Sequence, residues 1–171
     1  MEFYEVLKNR HSIRQFVDKP VEPEKLKRIL DAIQSAPSAG NLQAYKIYIT
    51  QSQETKSALS EASMGQPSVS GASAVLVFCA DKARSSSKYQ ELGEELFSIQ
   101  DATIAAAYAQ LAATSEGLSS VWIGAFDPLE VSRVVNAEPY HVPVALIPIG
   151  YAGQDIRKTS RRPDDEMISE V

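Results

Sequence analysis

Residues 96–116 read Leu-Phe-Ser-Ile-Gln-Asp-Ala-Thr-Ile-Ala-Ala-Ala-Tyr-Ala-Gln-Leu-Ala-Ala-Thr-Ser-Glu. No charged residue stands between Asp101 and Glu116, and alanines fill the spaces between Ile99, Ile104, Tyr108 and Leu111. A helix that is apolar almost all round has no face to give to water, so it belongs in the centre of a core or against another helix. The small side chains allow close approach, which makes a subunit interface one expectation and a buried core helix the other. Gly117 supplies a C-terminal cap. Asp101 is favoured near the start of the helix by the helix dipole, which is reason enough for its presence.

Outward from this helix lie four strand-like runs. Tyr45–Thr50 alternates polar with β-branched or aromatic residues. Residues 74–80 form a continuous apolar run that contains Cys79, and a small buried hydrophobe is the expected role of that thiol. Val121–Gly124 is a third run. Pro143–Gly150 is a fourth, in which Pro148 marks an irregularity or an edge. Helical spacing places a helix over about residues 2–9. A second opens at Pro23, carries Leu26, Ile29, Leu30 and Ile33 on one face, and stops before Pro37. Shorter helices are expected over about 53–62 and from the Asp127-Pro128 cap to about Asn136. Residues 81–93, with Ser85-Ser86-Ser87, read as loop. The chain shows no internal repeat and no linker, so residues 1–171 are expected to form one layered α+β domain.

Several function classes drop out on composition and motifs. Seventeen basic residues against twenty-two acidic ones give a net charge of −5, which argues against a general nucleic-acid binder. No apolar run reaches the roughly 20 residues of a membrane span, and no basic segment leads into an apolar stretch at the start. With Cys79 alone no disulfide forms within the chain, so a reducing, cytoplasmic setting is the simplest expectation. There is no G-x-G fingerprint, no P-loop and no G-x-S-x-G elbow. His11 and His141, with one cysteine, are a poor supply of zinc ligands, and no metal is expected.

Charge is nevertheless clustered. Lys8–Arg14 holds three basic residues and Arg157–Arg162 holds four, with no acid in either window, against about one expected from even spacing. Either each end carries a solvated surface run, or both ends converge on a bound anion. Arginine suits the second role because its planar fork binds phosphate through two hydrogen bonds, and Ser12 would add a hydroxyl between Arg10 and Arg14.

Four segments resemble the nitroreductase family of FMN flavoproteins. Arg10-His11-Ser12-Ile13-Arg14-Gln15-Phe16 is similar to the family's R-[RH]-S-[IV]-R-x-F opening. Ala36–Gln43 is similar to its A-P-S-x-x-N-x-Q segment. Val121-Trp122-Ile123-Gly124 resembles its strand that ends in a small-residue turn. Pro148-Ile149-Gly150-Tyr151, followed by Arg161-Arg162-Pro163, resembles its C-terminal G-Y…R-x-P signature. The segments keep the family's order along nearly the whole chain.

The resemblance implies an α/β/α sandwich with a mixed, mostly antiparallel sheet and an intertwined homodimer with one FMN in each of two interface pockets. It implies NAD(P)H as electron donor and hydride transfer through flavin N5, in a ping-pong cycle, to a nitroaromatic, quinone or related acceptor. Arg10, Ser12 and Arg14 would meet the phosphate or ribityl chain, with His11 alongside, and Arg161 would close on the phosphate. Pro37, Ser38 and Asn41 would come from the partner subunit. Ile123 and Gly124 would lie beside the ring, and Gln66 would meet its pyrimidine edge. No catalytic side chain is expected, because the flavin carries the hydride and solvent supplies protons. Thr159 stands where many members have a lysine, and the length resembles that of a minimal member. A flavin carrier or sensor without turnover, or a specialised flavin reaction such as reductive dehalogenation, are the alternatives. Bland roles also stand beside the site roles: a left-handed turn for Asn41, loop polarity for Gln66, packing for Trp122, Tyr89 and Phe97, and surface for His141.

Overall fold

The computed structural model describes residues 1–156 and 159–171. Helix α1 spans Phe3–Asn9 and α2 spans Pro23–Gln34; a short 3-10 turn at Ala39–Asn41 leads to strand β1, Tyr45–Thr50. Helices α3 (Gln53–Ala62) and α4 (Pro67–Ser70) follow, then β2 (Ala74–Asp81) and α5 (Lys82–Leu92). A π-helical turn, Gly93–Phe97, runs into the long α6, Ser98–Ser115. The chain continues through β3 (Ser119–Ser120), α7 (Pro128–Val134) and β4 (His141–Gly150), and a 3-10 turn at Asp164–Glu166 lies in the tail.

The strands form one sheet in the order β1-β2-β4-β3, antiparallel throughout. Among the described residues the parallel component of the expected mixed sheet is a single bridge, Ser12 with Ser120. The pleat of β2 decides the layering, because successive side chains point to opposite faces. Leu76 and Phe78 join Ile147 and Ile149 against Ile29 and Ile33 of α2 and the alanines of α6. Val75, Val77 and Cys79 join Leu146 against Leu59 of α3, Val69 of α4 and Val131 of α7. Helices therefore cover both faces, and the α/β/α sandwich follows. Double coverage also explains why β2 reads as an unbroken apolar run. Burial pushes the Cys79 thiol up to about 12, so it is protonated and inert at neutral pH.

The alanines at 102, 105, 106, 109 and 113 are all buried against this core. Gly117 takes φ +73 as the expected cap. Asp127 caps α7, its Oδ1 accepting from the N–H groups of Leu129 at 2.9 Å and Glu130 at 3.1 Å.

Three expectations need correction. Residues 82–92 are helix, not loop: Asp81 caps the segment by accepting from Arg84 N–H at 3.0 Å, and Ser85 and Gly93 are buried in its packing. A polar, serine-rich surface helix has no hydrophobic period to betray it. Its course also breaks at Gln90, with φ 51 and ψ −136. Secondly, of the two readings of Pro148 the irregularity holds and the edge does not, since β4 pairs with β2 on one side and β3 on the other. Thirdly, the third strand is Ser119–Ser120 rather than Val121–Gly124. Both come from the same cause. Val121 N–H donates to Pro148 C=O at 3.4 Å, but proline has no N–H to return. Pairing resumes two residues on, where Ile123 and Leu146 exchange bonds of 3.0 Å each way. The register is continuous from 119 to 123 and interrupted only at the proline.

Candidate functional site

The basic opening segment leaves α1 as an extended strap. Ile13, 1% exposed, anchors it in the core, and its N–H donates to Ser120 C=O at 3.0 Å. This anchor leaves Ser12 and Arg14 on the exposed side, because neighbours along extended chain alternate. His11 Nδ1 lies 3.0 Å from Asn9 C=O. Among the described residues no carboxylate lies within 4.0 Å of Arg10 or Arg14, so their charges are not compensated internally.

The root of the C-terminal tail runs against the strap. Val17 N–H donates to Tyr151 C=O at 2.9 Å, Gly153 N–H donates to Gln15 C=O at 2.8 Å, and Gln154 Oε1 accepts from both Arg14 and Gln15 N–H. A Cβ at Gly153 would lie 3.0 Å from the Phe16 backbone, so the close approach depends on glycine. Tyr151 is held by its hydroxyl, which donates to Glu22 at 2.6 Å and keeps that carboxyl below the usual carboxylate range. The root of the tail, residues 151–154, thus lies against the strap at residues 14–17. Arg161 lies further out and exposed, with its guanidinium on Thr159 Oγ1 at 2.8 Å and Ser160 C=O at 3.2 Å. Arg157 and Lys158 of the second basic window lie outside the described residues.

The segment that pairs with the strap leads directly to the second group of predicted residues. Ile123 is 3% exposed, and its N–H and C=O are both engaged by Leu146. Gly124, next along, is exposed. Gln66 donates from Nε2 to Ala125 C=O at 3.2 Å, so the amide and the Gly124 turn are neighbours. Arg10, His11, Ser12, Arg14, Gln66, Ile123 and Gly124 thus cluster along one extended segment, 119–125.

Pro37, Ser38 and Asn41 do not join them. Their loop is fixed to the start of α6 by Asp101, a carboxylate only 2% exposed. Its Oδ1 accepts from Ala39 N–H at 2.9 Å and its Oδ2 from Ala44 N–H at 3.2 Å. Ser38 Oγ accepts from Gln43 N–H at 2.9 Å. Gly40 (φ 56), Asn41 (φ 57) and Gln43 (φ 50) are left-handed, so the turn role read for Asn41 is realised. The strap side is tied to α6 elsewhere, through Gln110 Nε2 donating to Ser120 Oγ at 3.3 Å. Asp101 and Gln110 are about two and a half turns apart, hence on opposite faces of the helix and about 13.5 Å apart along its axis. Within one chain the loop that carries Asn41 and the segment that pairs with the Arg14 strap are thus tied to opposite faces of α6.

Asp101 is the positioning residue whose contacts sequence reasoning missed. Its position gave a sufficient local reason for an acid, and the two amides it satisfies are distant in sequence. A buried acid in an otherwise uncharged helix was the available signal. Over the same loop sit Tyr89 and Phe97, in edge-to-face contact at 5.0 Å. A Cβ at Gly40 would collide with Tyr89 Oη and lie 2.7 Å from Lys88 Nζ. Gly40→Ala is therefore expected to cost about 1–3 kcal/mol, from the left-handed backbone and the displaced side chains; urea denaturation measures it. His141 is buried rather than on the surface, with Nδ1 2.8 Å from the Tyr48 hydroxyl.

Comparison with known proteins identifies the family. The profile of the Nitroreductase family matches residues 7–95 and 71–151. A Bacillus subtilis protein named FMN reductase (NAD(P)H) is 33% identical over 174 residues, covering 94% of this chain and 70% of its own length. A Thermus thermophilus protein named NADH dehydrogenase is 29% identical, covering 93% and 91%. The structure of NfrA2 from B. megaterium superimposes with a TM-score of 0.91 at 31% identity, over 99% of this chain and 74% of that one. A nitroreductase family protein of Streptococcus pneumoniae shares the fold at a TM-score of 0.90 and 24% identity. With a family profile over most of its length and a 33% identical relative, this chain belongs to the nitroreductase family.

Proposed function

We propose that residues 1–171 form one FMN-binding unit that acts in the cytoplasm as an NAD(P)H-dependent oxidoreductase, working as a homodimer. Its acceptor would be a nitroaromatic, a quinone or a related small molecule, with donor and acceptor taking turns in one site. The observation that carries this reading is the pair of uncompensated arginines, Arg10 and Arg14, flanking exposed Ser12 on the strap that leads to Gly124 and Gln66. That donor set fits a phosphate joined to an aromatic ring with polar edges. The names of relatives point the same way.

When bound, FMN supplies reversible two-electron chemistry at N5. The chain's own residues bind and orient. Arg10, Arg14 and Ser12 would hold the phosphate, with His11 beside them and Arg161 closing from the tail. Gln66 would donate to the pyrimidine edge, favouring the electron-rich state of the ring. Ile123 would shape the floor under the ring, and its N–H is already spent on Leu146, which leaves that of Gly124 to face N5. Pro37, Ser38 and Asn41 of a second copy would complete each pocket. The geometry of α6 favours this sharing, as do the exposed apolar side chains Phe3, Tyr4, Leu7, Leu96 and Ile99 on α1 and around the start of α6. Among the described residues no helix is long and apolar enough to cross a membrane.

Anaerobic addition of NADH or NADPH to the flavin-loaded protein tests the reading. The expected result is loss of the flavin colour, restored by a quinone or nitroaromatic. A bound flavin that neither nucleotide bleaches would leave a carrier or sensor in place of the enzyme. Arg14→Ala is expected to weaken FMN binding by about 1.5–3 kcal/mol, roughly tenfold or more, by removing a charge-assisted contact. Fluorescence titration of FMN measures it, and an unchanged affinity would make Arg14 a surface residue.

A further inference from the structure

A groove of about 960 Å³ lies between strap residues 16–21, the first half of α2, the start of α3 and the turn into β2. None of the residues assigned to the cofactor lines it. One wall is apolar, built by Phe16, Val21, Leu26 and Leu30. Its volume is at the upper end of the range of small-molecule sites.

The groove also contains an unusual cation. Lys56 of α3 is 7% exposed, and its Nζ donates to Ala72 C=O at 2.6 Å. An ammonium has three N–H bonds to place, so two remain beyond that carbonyl. No carboxylate among the described residues lies within 4.0 Å of Lys56. Burial pushes its pKa down, and the more distant charge of Asp18 only partly opposes this. The other two lysines of the lining are already matched. Lys27 bonds both oxygens of Asp31, at 2.9 and 2.7 Å. Lys19 sits 3.6 Å from Glu22 and 3.8 Å above the Tyr151 ring. One buried, incompletely satisfied positive charge at the foot of an apolar wall is what remains.

We infer that this groove is a second ligand site, taking a monocarboxylate with an aliphatic body. The carboxylate would accept from Lys56 Nζ, and the body would lie along Phe16, Val21, Leu26 and Leu30. A single negative charge fits better than a phosphate dianion. There is one ammonium with donors to spare, no arginine fork in the lining, and Asp18 nearby would repel a second charge. The inference does not depend on the flavin reading, since the two sites share no assigned residue.

Calorimetric titration of the FMN-saturated protein with octanoate, octan-1-ol and inorganic phosphate tests it. Octanoate is expected to bind at least about tenfold more tightly than octan-1-ol, because only the acid makes the charge-assisted bond. Phosphate is expected not to bind in the groove. In Lys56→Met the advantage of octanoate over octan-1-ol disappears, while FMN content and the visible spectrum stay as in the parent. Hydrogen exchange on the unmodified protein gives a second readout that needs no variant: octanoate should protect residues 16–21 and 70–73. Octanoate binding no tighter than octan-1-ol, equal octanoate affinity in Lys56→Met, or protection confined to other segments would each overturn the assignment.

Discussion

Asp101→Ala is expected to destabilise the protein by about 3 kcal/mol or more and to weaken FMN binding sharply. The stability loss has a direct cause. The carboxylate accepts two backbone N–H groups, and the Ala44 end is fully buried, at 0% exposure. Removing the acceptor leaves that amide with neither protein nor water, at about 1–3 kcal/mol, and removes two charge-assisted bonds. The binding loss follows from what the bonds hold. Gly40, Asn41 and Gln43 sit in left-handed conformations, which non-glycine residues populate poorly, so without its clasp the loop that would carry Asn41 to a second copy's pocket loosens. Asp101→Asn separates the two effects. One carbonyl oxygen still serves one amide, while the NH2 faces the other, so the loss should be intermediate. Urea denaturation of the apoprotein and FMN titration of the folded protein report the two separately. If Asp101→Ala bound FMN like the parent, the loop would have no part in the cofactor site.

The second large effect appears only in mixed dimers. Neither Asn41→Ala nor Arg14→Ala alone can tell a shared pocket from a private one. In a dimer of one Asn41→Ala chain and one Arg14→Ala chain, a shared pocket gathers both lesions on one side and leaves the other intact. One FMN per dimer should then bind with the parent's affinity, and the other more than tenfold more weakly, if each lost polar contact contributes about 1 kcal/mol or more. Two equally weakened pockets would mean that Asn41 and Arg14 of the same chain meet one flavin. That would overturn the shared pocket, which the anchoring of residues 39 and 120 on opposite faces of α6 favours.

How legible this was from sequence depended on whether a residue's reason is local. The long helix announced itself because alanine and isoleucine without charge can only be interior. Pro23, Gly117 and Asp127 punctuated the helices where backbone chemistry demands such residues. The four motif segments placed most of the candidate site residues, and the structure brings seven of them together along 119–125. What escaped was non-local. Pro148 signalled an irregularity or an edge, and only its partner Val121 shows that the missing N–H interrupts a ladder within the sheet. The α5 helix has no apolar stripe and is held by its cap and its neighbours. His141 looked exposed in a proline-rich loop, but the Tyr48 hydroxyl, far away in sequence, gives it a buried partner. Asp101 and Lys56 each bind carbonyls or amides that no local pattern connects to them.

The bound flavin is the central element of the site. Protein purified without added flavin, then saturated with FMN and freed of excess, should show the visible absorption of a bound flavin. Denaturation should release about one FMN per chain, identified by chromatography. A protein that stays colourless after exposure to FMN would contradict the account, and Arg10, Ser12 and Arg14 would be charged surface or the seat of some other phosphate.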